Sequence, residues 1–560
     1  MTELTKPEDV PLPDRYIALV ATKMEYVLSR QAPDGKLPSA AGMDHFSTHD
    51  QNAIHALAFL YATEHPQNPW TGDARVLEAT VRLGDFIAAQ TNETGGFTDN
   101  PMRLKPSTHV DQWLCQAWLE SLLLLADELD AERAAAWRTK LHAAGASLAE
   151  TVREWVGLDA PYHTRSFGTS PNHAITRAAF LYRVGVVFDE PAWCALADRF
   201  VPRFLAMQDA DGCWPEYAGP VILYAMVSLC GIGQYYEYTG NAEARAAIER
   251  TIPYLACTRY PDGGPIALLD GRQQHTVNHA TWGQFALSLT PEGRALCDHL
   301  TRTLTPTDAI NGMALHRNIE NYRHYHDGPV GRIPLEEDAF TWRMQNTAGV
   351  RKQGPWMWAL SGIVTRSFVS SPFSVDRQSC VSVYHASVGR VLNGANSKNS
   401  PAAATFACGT NRIDFLPRTS ALDDEVMHLD VDYDRFRAAV TVRPVSATEL
   451  ELSARLLRQY EPTVFFRLQP MVPYGTTVTL DADARELDDN AWEVAGVREL
   501  SWDDVTMRFE APVRIWWPFE GFNSYSADNT YPDLKSARLI VETELSDDSR
   551  STTVRVEIRS

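Results

Sequence analysis

The stretch Gln208-Asp209-Ala210-Asp211-Gly212-Cys213-Trp214-Pro215-Glu216-Tyr217-Ala218-Gly219-Pro220 separates two apolar-periodic segments, 191–207 and 222–238. Asp-Gly is a turn signal, because glycine accepts the left-handed backbone that other residues avoid. Similar turns recur upstream and downstream: Gln31-Ala32-Pro33-Asp34-Gly35, Thr94-Gly95-Gly96-Phe97, Gly157-Leu158-Asp159-Ala160-Pro161 and Tyr260-Pro261-Asp262-Gly263-Gly264. The glycines at 35, 95, 157, 212 and 263 are 60, 62, 55 and 51 residues apart. Each interval holds two helices of ordinary length and two connections. Helical spacing is plain in Tyr16, Leu19, Val20, Met24, Val27 and Leu28, and it recurs over 52–63, 76–90, 109–129, 132–156, 172–187 and 242–255. A repeated two-helix unit predicts an α/α toroid, an incomplete barrel of helical hairpins with its Gly-bearing loops at one end. Such loops surround a cavity, the usual place for a ligand.

After residue 335 the period changes to two. Segments such as 380–385, 436–442, 448–457, 505–509, 513–517, 537–544 and 552–558 are rich in Val, Thr, Ile and aromatics and are bounded by Pro, Gly, Asp and Asn. Short strands without long helices between them predict an antiparallel β-sandwich. The expected fold class is therefore α+β multidomain: a toroid over 1–300, a connector over 301–335 and a sandwich over 336–560.

The chain has 560 residues, 51 Lys+Arg against 71 Asp+Glu, and a net charge of −20. That length exceeds one ordinary core. The acidic balance argues against a general nucleic-acid or anionic-membrane binder. An anionic substrate must instead meet a local pocket of positive groups. No apolar run reaches membrane-spanning length, and the polar N-terminal stretch lacks a signal-peptide core, so a cytoplasmic location is expected unless an export signal has been removed. Eight cysteines without CxxC spacing read as free thiols. No cofactor is expected.

Four clusters carry chemistry-bearing side chains. Ser170-Pro171-Asn172-His173 precedes an apolar helix, where Asn172 is either a cap or an amide presented beside an imidazole. The opening turn offers Trp214 and Tyr217 as sugar-stacking faces, Glu216 as a polar contact, and Tyr224 at the start of the next helix. Val277-Asn278-His279-Ala280-Thr281-Trp282 is a second Asn-His pair. The connector reads His316-Arg317-Asn318-Ile319-Glu320-Asn321-Tyr322-Arg323-His324-Tyr325-His326-Asp327. Strand alternation there would place Tyr322, His324 and His326 on one face and Arg323 and Tyr325 on the other. His324, His326 and Asp327 make an incomplete metal set, so no metal site is expected.

A toroid followed by an antiparallel sandwich resembles the polysaccharide lyases of the heparinase II/III-like, alginate-lyase and hyaluronate/chondroitin-lyase groups. In those families an Asn or Asn-His on the toroid is followed roughly fifty residues later by a catalytic Tyr, after an Asp-Gly-aromatic turn. Here Asn172-His173 precedes Tyr224 by 52 residues, counted from Asn172, with Asp211-Gly212-Cys213-Trp214 between. The resemblance implies elimination of a uronate glycoside in an acidic oligosaccharide or polysaccharide. Removing the C5 proton requires that the neighbouring carboxylate be neutralised, which an amide, an imidazole and an arginine do without a metal. Tyr224 is then the first choice for proton transfer and Tyr217 the second, with His173 or His279 as alternative bases. Asn172 neutralises, Arg317 or Arg323 holds the carboxylate, and Trp214 stacks on a sugar. Glu216, Asn278, Tyr322, His324 and His326 complete the expected binding set. The turn Asn396-Ser397-Lys398-Asn399 lacks the histidine these enzymes carry on a sandwich strand, so His279, His324 or His326 would replace it.

Three alternatives stay open. A glycoside hydrolase on the same scaffold would need two carboxylates from Asp50, Asp111, Asp211 and Glu216. A terpene-cyclase-like toroid leaves the sandwich unexplained. A non-catalytic carbohydrate-binding protein would keep the aromatic faces alone.

Overall fold

The computed structural model describes residues 6–38, 48–99, 107–158, 170–216, 219–270, 281–304, 311–345, 347–363, 377–394, 404–408, 416–460, 463–519, 534 and 537–559. The chain is an α/α toroid followed by an antiparallel β-sandwich. It divides into two compact units. Unit 1 comprises residues 1–214, 223–253 and 279–332, and unit 2 comprises 215–222, 254–278 and 333–560.

Unit 1 is built from α1 (Asp14–Ala21), α2 (Met24–Arg30), α3 (Thr48–Gln51), α4 (Ala53–Ala62), α5 (Ala74–Gln90), α6 (Gln112–Leu124), α7 (Ala131–Gly157), α8 (Pro171–Phe188), α9 (Pro191–Leu205), α10 (Ile222–Thr239), α11 (Ala242–Cys257), α12 (Gln284–Leu287), α13 (Pro291–Arg302) and α14 (Gly312–Arg323). Side-chain contacts give the direction of the inner helices. Gln112 bonds Thr176 and, further along, Glu120 meets Arg183, so α6 and α8 run parallel. Gly231 packs on Thr176 and Tyr238 on Arg183, so α8 and α10 run parallel. Cys230 with Arg317 and Gln234 with Glu320 align α10 and α14. His55 with His316 and Phe59 with Tyr322 align α14 and α4. Five parallel helices thus present their N-terminal ends on one side.

The alternate helices α5, α7, α9 and α11 lie outside. Large aromatics fill glycine notches between them: Trp137 against Gly84 and Trp193 against Gly145. The repeating turns explain the glycine period. Gly95 and Gly212 have φ of 76° and 90°, and a Cβ on either would lie 2.2 Å from a backbone atom of the next outer helix, at Ala144 and Arg250. Gly157 departs from this pattern. It is the last residue of α7, and a Cβ added there would meet nothing within 4 Å among the described residues, so the expected turn glycine there is a helix end.

The connector also differs from expectation. Residues 312–323 are helical, and the strand alternation proposed for Tyr322 to His326 does not exist. Ten of the twelve α14 residues are buried, including His316, Arg317, Asn318, Glu320 and Asn321. His316 meets His55 of α4, Arg317 and Glu320 meet Cys230 and Gln234 of α10, and Asn321 bonds the backbone at Thr281 and Phe285, which lets a polar segment become a core helix. Asn311 caps it by accepting the Ala314 N–H at 2.8 Å.

In unit 2, β1 (Ala339–Met344), β2 (Ala348–Gln353), β3 (Trp356–Ser361), β4 (Val381–His385) and β5 (Gly389–Asn393) form an antiparallel sheet in chain order. A second sheet of twelve strands, spanning 406–558, has long central strands at Glu449–Gln459, Val505–Phe519 and Ser551–Ile558. Inward and outward positions alternate along them, as the period of two predicts. One apolar core joins Trp356, Trp358 and Leu360 of the first sheet to Leu429, Val440, Leu452 and Val556 of the second. The last turn of α11, from Tyr254, and the segment after it to 270 belong to this unit: Asp262 pairs with Arg390 at 2.9 Å and Tyr260 stacks on Tyr384. None of the eight cysteines forms a disulfide. Among the described residues no helix is long and apolar enough to cross a membrane.

Candidate active site

The shared N-terminal end of the inner helices carries a half-buried aromatic group. Asp111 caps α6 by accepting the N–H groups of Trp113 and Leu114 at 3.0 and 3.1 Å. Burial opposes ionisation of Asp111, but His49, Thr48 and His109 hold its carboxyl below the usual range. The cap fixes Trp113 in the first turn of α6. Its ring lies 4.8 Å from that of His173 and 5.3 Å, edge-on, from Trp282. The His49 ring lies 6.1 Å from that of Trp113, also edge-on. His49, Trp113, His173, Tyr224 and Trp282 all retain partial exposure, as residues lining a depression do.

Asn172 and Arg317 stand behind this surface. Asn172 occupies the first turn of α8 and is fully buried, with its carbonyl accepting the Thr176 hydroxyl at 2.9 Å. Arg317 lies over the Trp282 ring, 4.2 Å from its centroid, and pairs with Glu320. Tyr224 lies in the first turn of α10. The pairing of Gly231 with Thr176 puts it about 4–5 Å beyond Asn172 along the common helix direction. Each helix N-terminus adds roughly half a positive charge, and five of them point the same way.

The other expected residues fall elsewhere. Arg323, His324 and His326 follow at the opposite, C-terminal ends of the inner helices. His326 pairs with Glu237 at 2.7 Å and His324 approaches the same carboxylate at 3.8 Å. Glu237 is thirteen residues beyond Tyr224 on α10, about 20 Å away. Burial, with Arg323 beside it, lowers the His324 imidazole to about 4. Tyr322 packs on Phe59 and His65 at 5.8 and 5.5 Å. Arg323 bonds Glu120 at 2.8 Å, so its charge is met inside the protein. Trp214, expected to stack on a sugar, is 1% exposed, stacked on Phe204, and donates its indole N–H to the Phe204 carbonyl at 3.2 Å. Glu216 is likewise buried, in unit 2, where its backbone pairs with Gly219. Tyr217, Asn278, His279 and Lys398 lie outside the described residues. Among the described residues no group of three or more His, Cys, Asp or Glu is placed to hold a metal ion.

Between the two ends runs a buried polar network. Glu120 receives Arg183 and Arg323, each at 2.8 Å. Burial works against its charge, yet the Arg183 hydrogen bond and charge, with Arg323 and His55, hold the carboxyl at about 2. Arg323 donates to His55 Nε2 at 3.3 Å, so the neutral His55 ring carries its proton on Nδ1 and gives it to His316 Nδ1 at 2.7 Å. Burial lowers both imidazoles, His55 to about 3 and His316 well below the ordinary value.

No protein-family model matches the chain, and no curated protein matches its sequence. Its likenesses are structural. The chain is similar to the chondroitin AC lyase of Streptomyces coelicolor A3, with a TM-score of 0.48 and 13% identity over 99% of this chain and 80% of that one. It is also similar to the heparan sulfate lyase HepC of Pedobacter heparinus, with a TM-score of 0.42 and 11% identity over 97% and 88%. The unsaturated glucuronyl hydrolase of Bacillus sp. GL1 matches 52% of this chain and 82% of its own, with a TM-score of 0.35 and 13% identity.

His49 and Trp113 have no place in the motif reading, and Trp282 appears there only as the end of a motif. Their signal is positional. His49 lies in α3, just before α4, Trp113 follows a capping Asp at the start of α6, and Trp282 stands just before α12.

Proposed function

We propose that the toroid is the catalytic part of a lyase that breaks a uronate glycoside in an acidic oligosaccharide or polysaccharide by β-elimination. The observation that carries this reading is the half-exposed Trp113–His173–Trp282 group beside Tyr224 at the common N-terminal end of five parallel helices. Indole faces stack on pyranose rings. The helix ends and the Asn172 amide behind them offset the uronate charge, which makes the C5 proton removable. Tyr224 and His173 are the partly exposed proton-transfer groups; Tyr217 and His279 stay candidates for the same work. The hydrolase alternative is weaker, because Asp111 is occupied as a helix cap and Glu216 is buried.

The test is incubation with a panel of uronate glycans, followed by ultraviolet absorbance of the unsaturated product and by reducing-end release. The expected outcome is both signals together. New reducing ends without absorbance would establish hydrolysis instead. Tyr224→Phe keeps the ring and removes the hydroxyl, and it should cost about 10²- to 10⁴-fold in kcat, the usual share of a general acid or base. Elimination by this variant at the parent rate would remove Tyr224 from the reaction.

A further inference from the structure

We infer that α14 positions Trp282, with Arg317, Glu320 and Asn321 acting together as a clamp on the aromatic wall. Two independent sets of contacts converge there. Asn321 donates its amide to the Thr281 carbonyl at 2.7 Å and accepts the Phe285 N–H at 3.1 Å, so it holds the backbone on both sides of Trp282. Arg317 covers the indole face, 4.2 Å from the centroid. Its guanidinium is itself fixed: it pairs with Glu320 and meets Cys230 Sγ at 3.3 Å. Glu320 in turn receives the Gln234 amide. All three clamp residues are buried, at 0–3% exposure, which excludes solvent from the contacts that hold the ring.

The clamp changes the part assigned to Arg317. A guanidinium stacked on one indole and paired with a buried carboxylate is not presented to a substrate carboxylate. It acts through Trp282, whose edge meets Trp113, which in turn packs on His173. A cation–π contact of this kind is worth enough to change ligand affinity about 3- to 30-fold when the ring is no longer held.

The first arm of the test needs no substrate. The protein has 15 tryptophans. With 5-fluorotryptophan incorporated, the Trp282 resonance is identified by its loss in Trp282→Phe. Arg317→Met, Glu320→Gln and Asn321→Ala should each shift or broaden that resonance while those of the buried Trp214 and Trp137 stay in place. Arg317→Lys and Asn321→Ser are milder replacements should the first variants not fold. An unmoved Trp282 resonance in folded variants of both Arg317 and Asn321 overturns the clamp. The second arm rests on the lyase reading. In a double-mutant cycle on KM, Arg317→Met and Trp282→Phe should be non-additive, with Arg317→Met raising KM about 3- to 30-fold and leaving kcat within about twofold. Additive effects would mean that Arg317 acts on substrate independently of Trp282, and would refute the positioning role. Failure of the panel to yield unsaturated product leaves the resonance arm intact, so the two readings fail separately.

Discussion

Trp214 and Trp113 carry the same side chain into opposite environments. Trp214 has its ring against Phe204 and its indole proton on a carbonyl, while Trp113 is half-exposed and has no hydrogen-bond partner for its indole nitrogen among the described residues. Truncation separates them. Trp214→Ala empties a filled core site and should cost about 3–5 kcal/mol of stability in denaturant melts. Trp113→Ala should cost far less stability but should abolish detectable binding of uronate oligosaccharides by calorimetry. A Trp113→Ala protein that keeps parent affinity would remove the aromatic wall from the site. Arg323 and Arg317 teach the same lesson for charge. Each is matched by a buried glutamate, so neither is free to serve as the carboxylate clamp that its type suggests.

At the scale of the element, the outer helices are spaced by glycine turns that leave no room for a side chain. Gly212→Ala would put a Cβ 2.2 Å from the Arg250 carbonyl oxygen and force a residue with φ of 90° into left-handed backbone. The expected cost is about 1–3 kcal/mol or more, read as a lowered midpoint in urea. Gly157→Ala is the control. It lies at the end of α7, where an added Cβ meets nothing within 4 Å among the described residues, and there the change should be neutral or gain up to about 1 kcal/mol. Equal effects at both positions would contradict the packing described for the turns. α14 shows the converse case, in which a helix with polar residues on most of its faces becomes core because its own residues and the segments packed around it supply their hydrogen bonds.

For the whole molecule, the charged network across the inner helices sets the response to acid. His55 stays neutral in the folded state down to about 3, and His316 is also strongly lowered, whereas both protonate near 6.5 once unfolded. The unfolded state therefore binds more protons below pH 6.5, and stability falls as the pH drops from there towards 3. Each imidazole contributes about 1.4 kcal/mol per pH unit over most of that range. Glu120 adds to the loss lower down, between its unfolded value near 4.5 and its folded value of about 2. Chemical unfolding followed by far-ultraviolet circular dichroism between pH 7 and 4.5 should show this slope, and His55→Gln should reduce it by one imidazole's share. A flat profile would refute neutral burial of the pair.

The order of a toroid and a sandwich was legible in the chain alone, because hydrophobic period and turn glycines are local properties that report which side of each element is covered. The helix starts at Asn172-His173 and Tyr224 were marked by the same local signals, and α8 and α10 do begin there. The −20 charge required only that any anionic ligand meet positive groups gathered in one place, and under the lyase reading the N-terminal ends of the parallel inner helices would be that place. What only the tertiary structure decided is which polar and aromatic residues remain available. Burial and pairing depend on partners distant in sequence: Phe204 covers Trp214, Glu120 takes Arg323, Glu237 takes His326, and Glu320 takes Arg317. The same distance law brings His49, Trp113 and Trp282 together from three helix starts, which no periodicity within one segment can encode.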